Sequence, residues 1–545
     1  MSVQESAELT AIAGGVTVRV RGAALVAAAQ AVLDRAAAEQ LASRLAGGDP
    51  EIWGEAARAE AAVRLGWLGL PTSSRQLLPR LAELAGQVRA AGLDHVVLAG
   101  MGGSSLAPEV ITLTAGVELT VLDTTDPGQV RRALGDRLAR TVVVVGSKSG
   151  STVETDSHYR VYRQALTEAG LDPAERIVVV TDPGSPLAER ATAAGHRVVL
   201  ADPNVGGRYS ALSAFGLVPS ALAGVDVAEL LDAAAGVSES LAAAEPTANP
   251  GLLLGAVLGG AALTGQDKAV IADHGSSVVG FGDWAEQLVA ESTGKENRGI
   301  LPVVVEGAAS PGFADAGADA VLVTLGGGLD ADGIEVSGPL GAQFLVWEYA
   351  TAVAGFALGT NPFDQPNVQE SKDNTNTLLA SGVRAVDQPV LTDGPVQVFG
   401  DAALLADVKD VAGAVHALLD TVPDRGYLAV LAYLDRFADA AAAELRPLLA
   451  QRLAGRQATF GWGPRFLHST GQYHKGGPQL GVFLQLTGEN SQDLPVPERP
   501  YTFGQLQLAQ ALGDVNALRG RGRPVLRLHL TDRAAGLAYL RELLD

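Results

Sequence analysis

The sequence predicts an α/β protein in which successive doubly wound parallel sheets follow a helical start. Three observations lead there. The 545 residues exceed what one hydrophobic core organises, and at roughly 100–200 residues per domain they imply about three or four packed units. Short runs of β-branched and aliphatic residues recur, apolar throughout rather than alternating, as strands covered on both faces are. Segments with helical spacing of apolar residues lie between most of these runs, so strand and helix alternate.

Residues 1–90 read as a mostly helical segment, on the pattern of ALVAAAQAVLDRAAAEQLASRLAGG and SSRQLLPRLAELAGQVRAAG. Residues 91–240 read as a first α/β domain with strands HVVLAG (95–100), LTVLDTT (119–125), TVVVVGSKSG (141–150), RIVVVTD (176–182) and HRVVLAD (196–202). A second, residues 241–400, carries KAVIADHG (268–275), ILPVVVEG (300–307) and AVLVTLGG (320–327). A C-terminal α/β unit, residues 401–545, carries YLAVLAYL (427–434), ATFGWGPRFLHST (458–470), LGVFLQLT (480–487) and VLRLHL (525–530). The stretch from Asn374 to Asp401, with scattered Gly, Pro, Asp and Thr, reads as a connection between units.

Composition narrows the function. The formal net charge is −21, with no Lys/Arg run to track a nucleic-acid backbone, so no nucleic-acid partner is expected. A small phosphate needs only a few donors and remains compatible with this charge. The chain has no cysteine, which excludes disulfides, thiolate metal sites and a cysteine nucleophile. The apolar stretch PGLLLGAVLGGAALT (250–264) is short for a membrane span and rich in glycine, and reads as a buried helix. The start, MSVQESAELTAIAGG, lacks a basic-then-apolar signal layout, and a soluble, cytoplasmic protein without a membrane partner is expected.

In open parallel sheets, ligands bind beyond the carboxyl ends of strands, near helix N-termini. Two strand-to-helix turns have suitable chemistry. Gly100-Met101-Gly102-Gly103-Ser104-Ser105 offers close backbone approach and hydroxyl donors, although a Gly-rich turn also suits a dinucleotide or is simply tight. Its spacing departs from G-x-G-x-x-G. Gly146-Ser147-Lys148-Ser149-Gly150-Ser151-Thr152 follows a buried-strand sequence with four hydroxyls in six residues. Helix capping needs only one hydroxyl, and this density fits a phosphate monoester held as a handle on a substrate. The lysine comes too early for a Walker A loop.

Three further segments carry candidate side chains. Gly206-Gly207-Arg208-Tyr209-Ser210 can project the Arg208 guanidinium into a cleft, or leave it solvated. In the helix around Trp284–Thr293, Gln287 and Glu291 share a face, and Glu291 alone would pass for a surface partner of Lys295. In Asn361-Pro362-Phe363-Asp364-Gln365-Pro366, the prolines put Gln365 at a loop-to-helix start, two turns before Lys372.

Together and in this order, GGSS, SKSGST, GGRYSALSAFG, Q-x-x-x-E-S-x-G-K and D-Q-P-x-V-x-x-x-K resemble the phosphoglucose isomerase family over most of residues 90–375. The resemblance implies tandem sugar-isomerase (SIS) domains, a phosphosugar substrate, no organic cofactor and no metal, and interconversion of glucose 6-phosphate and fructose 6-phosphate. By motif it makes Glu291 the general base and Arg208 the stabiliser of an enediolate. Ser104, Ser147, Ser149 and Thr152 become phosphate contacts, Gly103 and Lys148 stand with them as substrate-binding residues, Gln287 and Gln365 line the sugar, and Lys372 takes part in ring opening. Ser149 stands where the family has threonine, with the hydroxyl kept. The last 150 or so residues resemble an additional unit in a bacterial subgroup akin to transaldolase–isomerase fusions, and the resemblance leaves homodimer and monomer both open.

One departure stands out. The family places a ring-opening histidine on the helix that here reads Gly341-Ala342-Gln343-Phe344-Leu345-Val346-Trp347-Glu348, without histidine. The polar, Gly-ended turn holding His468 and His474 offers two substitutes, His468 for ring opening and His474 as a lesser candidate contacting substrate. The alternatives are an isomerase that also accepts mannose 6-phosphate and a non-catalytic phosphosugar sensor, which could keep the SKSGST turn but discard the base.

Overall fold

The computed structural model describes residues 7–381 and 388–545, and among these the chain is organised by three sheets. The first is wholly parallel, in the order Thr120–Leu122, His95–Gly100, Thr141–Gly146, Ile177–Thr181, Arg197–Leu200. The chain starts on the second of these strands, moves to one edge, then crosses to the other side. The resulting switch point lies between His95–Gly100 and Thr141–Gly146, the place where open parallel sheets bind ligands. The register pairs Gly100 with Gly146, so the two turns singled out by composition leave the sheet side by side.

The second sheet runs Glu8–Ala13, Val16–Arg21, Gly333–Ser337, Ala320–Leu325, Lys268–Asp273, Leu301–Val305. Its last four strands are parallel, and an N-terminal hairpin adds to Gly333–Ser337 antiparallel. This corrects the helical reading of residues 1–90, which holds only from Ala23 onward. VTVRVR alternates with period 2, buried at each valine and half-exposed at each partner, and Arg19 and Arg21 pair with Glu335 across the new ladder.

The third sheet runs Leu391–Asp393, Val396–Phe399, Val525–Leu530, Gly481–Gly488, Tyr427–Tyr433, Gln457–Trp462. Its first two strands are antiparallel additions lying in the stretch expected to be a plain connection, of which residues 382–387 fall outside the described residues.

The cores explain how the units meet. One apolar cluster runs from Ala11 to Phe363, joining the N-terminal helices to faces of the first and second sheets. A second joins Val270, Leu301 and Val303 of the second sheet to Tyr427, Tyr473 and Phe483 of the third unit. A third brings Val496 and Phe503 against Val143, Val145 and Val179 of the first sheet. The C-terminal unit therefore packs on both others, each fully buried aliphatic side chain contributing about 1.5–3 kcal/mol. Helix Pro250–Leu263 is buried between Leu340–Leu358 and Ala23–Ala38, where a Cβ on Gly255 or Gly260 would meet the carbonyls of Ala350 or Ala28 at 2.4 and 2.2 Å. Among the described residues no helix is long and apolar enough to cross a membrane.

Candidate active site

The two turns at the first switch point are locked to one another and to the Arg208 segment. A Cβ on Gly103 would fall 1.8 Å from the carbonyl oxygen of Gly207, so the turn and the Gly206-Gly207-Arg208 backbone touch directly. Ser104 sits between Gly100 and Gly146, whose added Cβ atoms would come within 3.1 and 3.3 Å of its own Cβ. In the second turn, Ser147 Oγ donates to Thr152 Oγ1 at 3.2 Å and accepts from the Gly150 N–H at 3.1 Å, while Ser149 and Ser151 join hydroxyls at 2.8 Å. Thr152 is the N-cap of helix Val153–Glu168 but its side chain makes no capping bond. The hydroxyls thus gather at a helix N-terminus that the Thr152 side chain leaves uncapped, where the helix dipole favours an anion.

Lys148 does not join them. Its Nζ is 2.5 Å from Asp182 Oδ2 and 3.1 Å from the Pro203 carbonyl, which turns it toward the end of strand Ile177–Thr181.

Arg208 is buried. Its Nε donates to Ser292 Oγ at 2.9 Å, one terminal nitrogen to Gln365 Oε1 at 2.9 Å, and the other to the carbonyls of Pro362 and Asp364 at 2.9 and 2.8 Å. The same guanidinium lies 3.3 Å from Glu291 Oε1. Beside Arg208, Tyr209 is held between Trp67 and Phe363. Lys295 Nζ clamps the same loop, bonding the carbonyls of Asn361 and Asp364 and Asp364 Oδ1 at 2.6–2.7 Å. Burial, then the charge of Arg208, depress the Lys295 ammonium to about 8 despite Asp364.

Gln287, one turn before Glu291, donates through Nε2 to Glu291 Oε2 at 3.1 Å and to the carbonyl of His468 at 2.7 Å. One amide therefore ties a carboxylate of the second unit to the histidine turn of the third. Gly102, with φ +55°, lets the first turn close on this pair; a Cβ there would meet Gln287 Nε2 at 2.7 Å and the His468 oxygen at 2.9 Å.

The adjoining cavity, of about 80 Å³, is lined by Ser151, Thr152, Glu154, Lys372, His468 and Gln510, among others. His468 Nε2 lies 2.9 Å from Glu154 Oε1. Burial works against the Glu154 carboxylate, yet His468, a backbone N–H and the charge of Lys372 together hold it below the usual range. A carboxylate on one imidazole nitrogen orients the ring and fixes which nitrogen carries the proton. Lys372 enters from helix Val368–Ser381 and is exposed to the cavity mouth. Glu291 and Arg208 are not on this cavity's wall; they adjoin it through Gln287.

The sequence reading overlooked Glu154. The available signal was its place two residues beyond Thr152, at the second position of a helix entered from a hydroxyl-rich turn. The reading of His474 as a substrate contact is corrected. Its ring is buried among Tyr427, Phe466 and Phe483, neither nitrogen has a hydrogen-bond partner, and burial followed by the charges of Lys475 and Arg523 keeps it neutral, far below its usual value. His95, His158, His196 and His529 are held within or beside strands and helices by Thr, Tyr, Glu and carbonyl partners, and none of them lines the cavity.

Residues 80–320 match the family model of phosphoglucose isomerase. A probable glucose-6-phosphate isomerase of Haloarcula marismortui is 35% identical over 295 residues, covering 53% of this chain and 65% of that protein. A glucose-6-phosphate isomerase of Cyanothece sp. is 36% identical over 225 residues, covering 39% of this chain and 42% of that protein. The chain thus spans less than two thirds of the length of these curated relatives. Among solved structures, a hypothetical protein from Thermus thermophilus superposes with TM-score 0.54 and 25% identity over 64% of this chain and 95% of that one. A glucose-6-phosphate isomerase from Chlamydia trachomatis superposes with TM-score 0.56 over 68% of this chain and 90% of that one; at 21% identity this likeness speaks to the fold.

Proposed function

We propose that this chain, whose residues 80–320 match the phosphoglucose isomerase family, interconverts glucose 6-phosphate and fructose 6-phosphate. The observation that carries the proposal is the Gln287 amide, which joins the Glu291 carboxylate to the His468 turn at the edge of a cavity entered by Lys372 and the hydroxyl turn. On this reading the anion cradle and the ring-opening pair meet at the cavity, while the base and the guanidinium stand behind its wall, joined to it through Gln287.

Each group has a task. Ser147, Ser149 and Thr152, with the N-terminus of helix Val153–Glu168, hold the substrate phosphate, supplying binding energy remote from the reacting carbons. The sugar arrives as a ring, and opening it needs a proton placed on the ring oxygen and another taken from the anomeric hydroxyl. His468, oriented by Glu154, and Lys372 exchange those protons. Glu291 then removes the proton from C2 of the open aldose, giving a cis-enediolate with the new charge on O1, and returns a proton to C1 while the O2 hydroxyl proton passes to O1, which leaves the ketose. Arg208 is placed before the reaction to stabilise charge that grows on the enediolate oxygen, and loss of such a group typically costs about 3–4 kcal/mol in barrier.

The test is turnover of fructose 6-phosphate by the purified chain in excess EDTA, with glucose 6-phosphate followed by a coupled dehydrogenase. Rapid, chelator-resistant turnover that disappears in Glu291→Gln, with phosphosugar binding retained by calorimetry, supports the proposal. Binding without turnover in the unmutated chain would sink it and leave a phosphosugar sensor.

A further inference from the structure

Beside the Glu154–His468 pair, on the wall of the same cavity, lies a buried amide that the mechanism above does not use. Gln510, on helix Phe503–Gly520, donates through Nε2 to Glu154 Oε1 at 2.6 Å, the same oxygen that His468 Nε2 meets at 2.9 Å. On its other side Gln510 Oε1 accepts from Thr125 Oγ1 at 2.7 Å. Thr125, Gln510 and Glu154 are 0%, 2% and 3% exposed, so the three partners are shielded from the outer surface.

The direction of this chain is fixed by its chemistry. An ionised carboxylate only accepts, so the amide must present Nε2 to Glu154 and its oxygen to Thr125. With both donors on one oxygen, the carboxylate cannot rotate without breaking two bonds. The imidazole that leans on it inherits that restraint. Helix Phe503–Gly520 also packs along Val368–Ser381, the helix of Lys372, so one element braces both ring-opening groups.

We infer that Gln510 is a positioning residue for ring opening: its amide, anchored by Thr125, fixes Glu154 and through it the ring of His468. The inference rests on the isomerase reading above. It predicts a specific pattern of coupling, because a residue acting only through His468 has nothing to act on once that ring is gone.

The experiment is a double-mutant cycle on the full chain, Gln510→Met and His468→Ala singly and together, with kcat and KM for fructose 6-phosphate and a melting curve for each. Gln510→Met keeps size and removes the donor. The expected result is a kcat loss of about ten- to a hundredfold with KM within about twofold, and no further loss when it is added to His468→Ala. Thr125→Val, which frees the amide to turn, is expected to give a smaller loss that also vanishes in His468→Ala, and it carries the test if Gln510→Met does not fold. Equal losses in both backgrounds, a change in KM alone, or an unchanged kcat would overturn the inference. Glu291→Gln is measured alongside: loss of its turnover together with an uncoupled Gln510 refutes the positioning role only, whereas retained turnover in Glu291→Gln refutes the isomerase reading and the inference with it.

Discussion

Replacing Arg208 by lysine keeps a positive charge and removes the planar fork that its partners use. The guanidinium donates to Ser292 Oγ, Gln365 Oε1 and the carbonyls of Pro362 and Asp364 at 2.8–2.9 Å. An ammonium on a flexible stem has three donors and reaches two such partners at best. Asp364 O keeps Lys295, and Pro362 O keeps only a long bond from the Tyr209 hydroxyl at 3.5 Å, so the loss falls mainly on Pro362 O and on whichever of Ser292 and Gln365 is abandoned. Two charge-assisted hydrogen bonds at about 1.5–3 kcal/mol each put the gross penalty near 3–6 kcal/mol, divided between folding and the barrier. The barrier share is expected to lower kcat about a hundredfold, since the charge no longer waits where the enediolate oxygen forms. The assay is coupled turnover of fructose 6-phosphate, with calorimetric binding of a phosphosugar and a denaturant midpoint on the same preparation. Binding should survive within about threefold, because the phosphate is held elsewhere. A kcat within about threefold of the unmutated chain would refute the reasoning, as would equal losses of binding and turnover.

Other outcomes follow from the same geometry. Glu154→Gln leaves His468 against a neutral amide and should lower kcat about ten- to a hundredfold with little change in KM, read from initial rates; an unchanged kcat would separate the pair from catalysis. Gly103→Ala forces a methyl to within 1.8 Å of the Gly207 carbonyl and should cost both stability and turnover, seen as a lowered denaturant midpoint; a neutral result would mean the two backbones part easily. His474→Leu, in contrast, should retain turnover and fold at least as stably, because it removes two unpaired ring nitrogens from an aromatic cluster. Lys295 titrates near 8 when folded and near 10.4 when unfolded, so in that window the unfolded chain binds the extra proton and stability from this group rises with pH. The denaturant midpoint of the unmutated chain relative to Lys295→Met should therefore increase between about pH 7.5 and about 9.5, and a flat difference would show that Lys295 is not so buried.

The strands of the first sheet were legible because each is an unbroken apolar run, and the hydroxyl-rich turn was legible because its density exceeds what capping uses. The hairpin at Glu8–Arg21 was not, since its alternation is short and its ion-pair partner Glu335 sits in GIEVS, itself a strand the sequence reading passed over. Neither half signals a strand without the other. Glu154 was hidden by its type, a carboxylate at a helix start being ordinary until something buries it. His468 and His474 lie six residues apart in one polar turn, and only the insertion of Gly471–Gly476 among the aromatic residues of the third unit separates them. The Lys148–Asp182 pair depends on strand ends brought together by the sheet, which no local pattern records.

The docking of the third unit onto both others has a consequence for biosynthesis. The hydroxyl turn, Arg208 and Glu291 leave the ribosome long before His468 and Gln510, and domains tend to fold as they emerge. A nascent chain halted between these points would carry the anion cradle and the base but not the imidazole that completes the site. On the isomerase reading, turnover would then require that the third unit had been made and had folded onto the rest, and a chain cut before His468 is expected to stay silent rather than partly active.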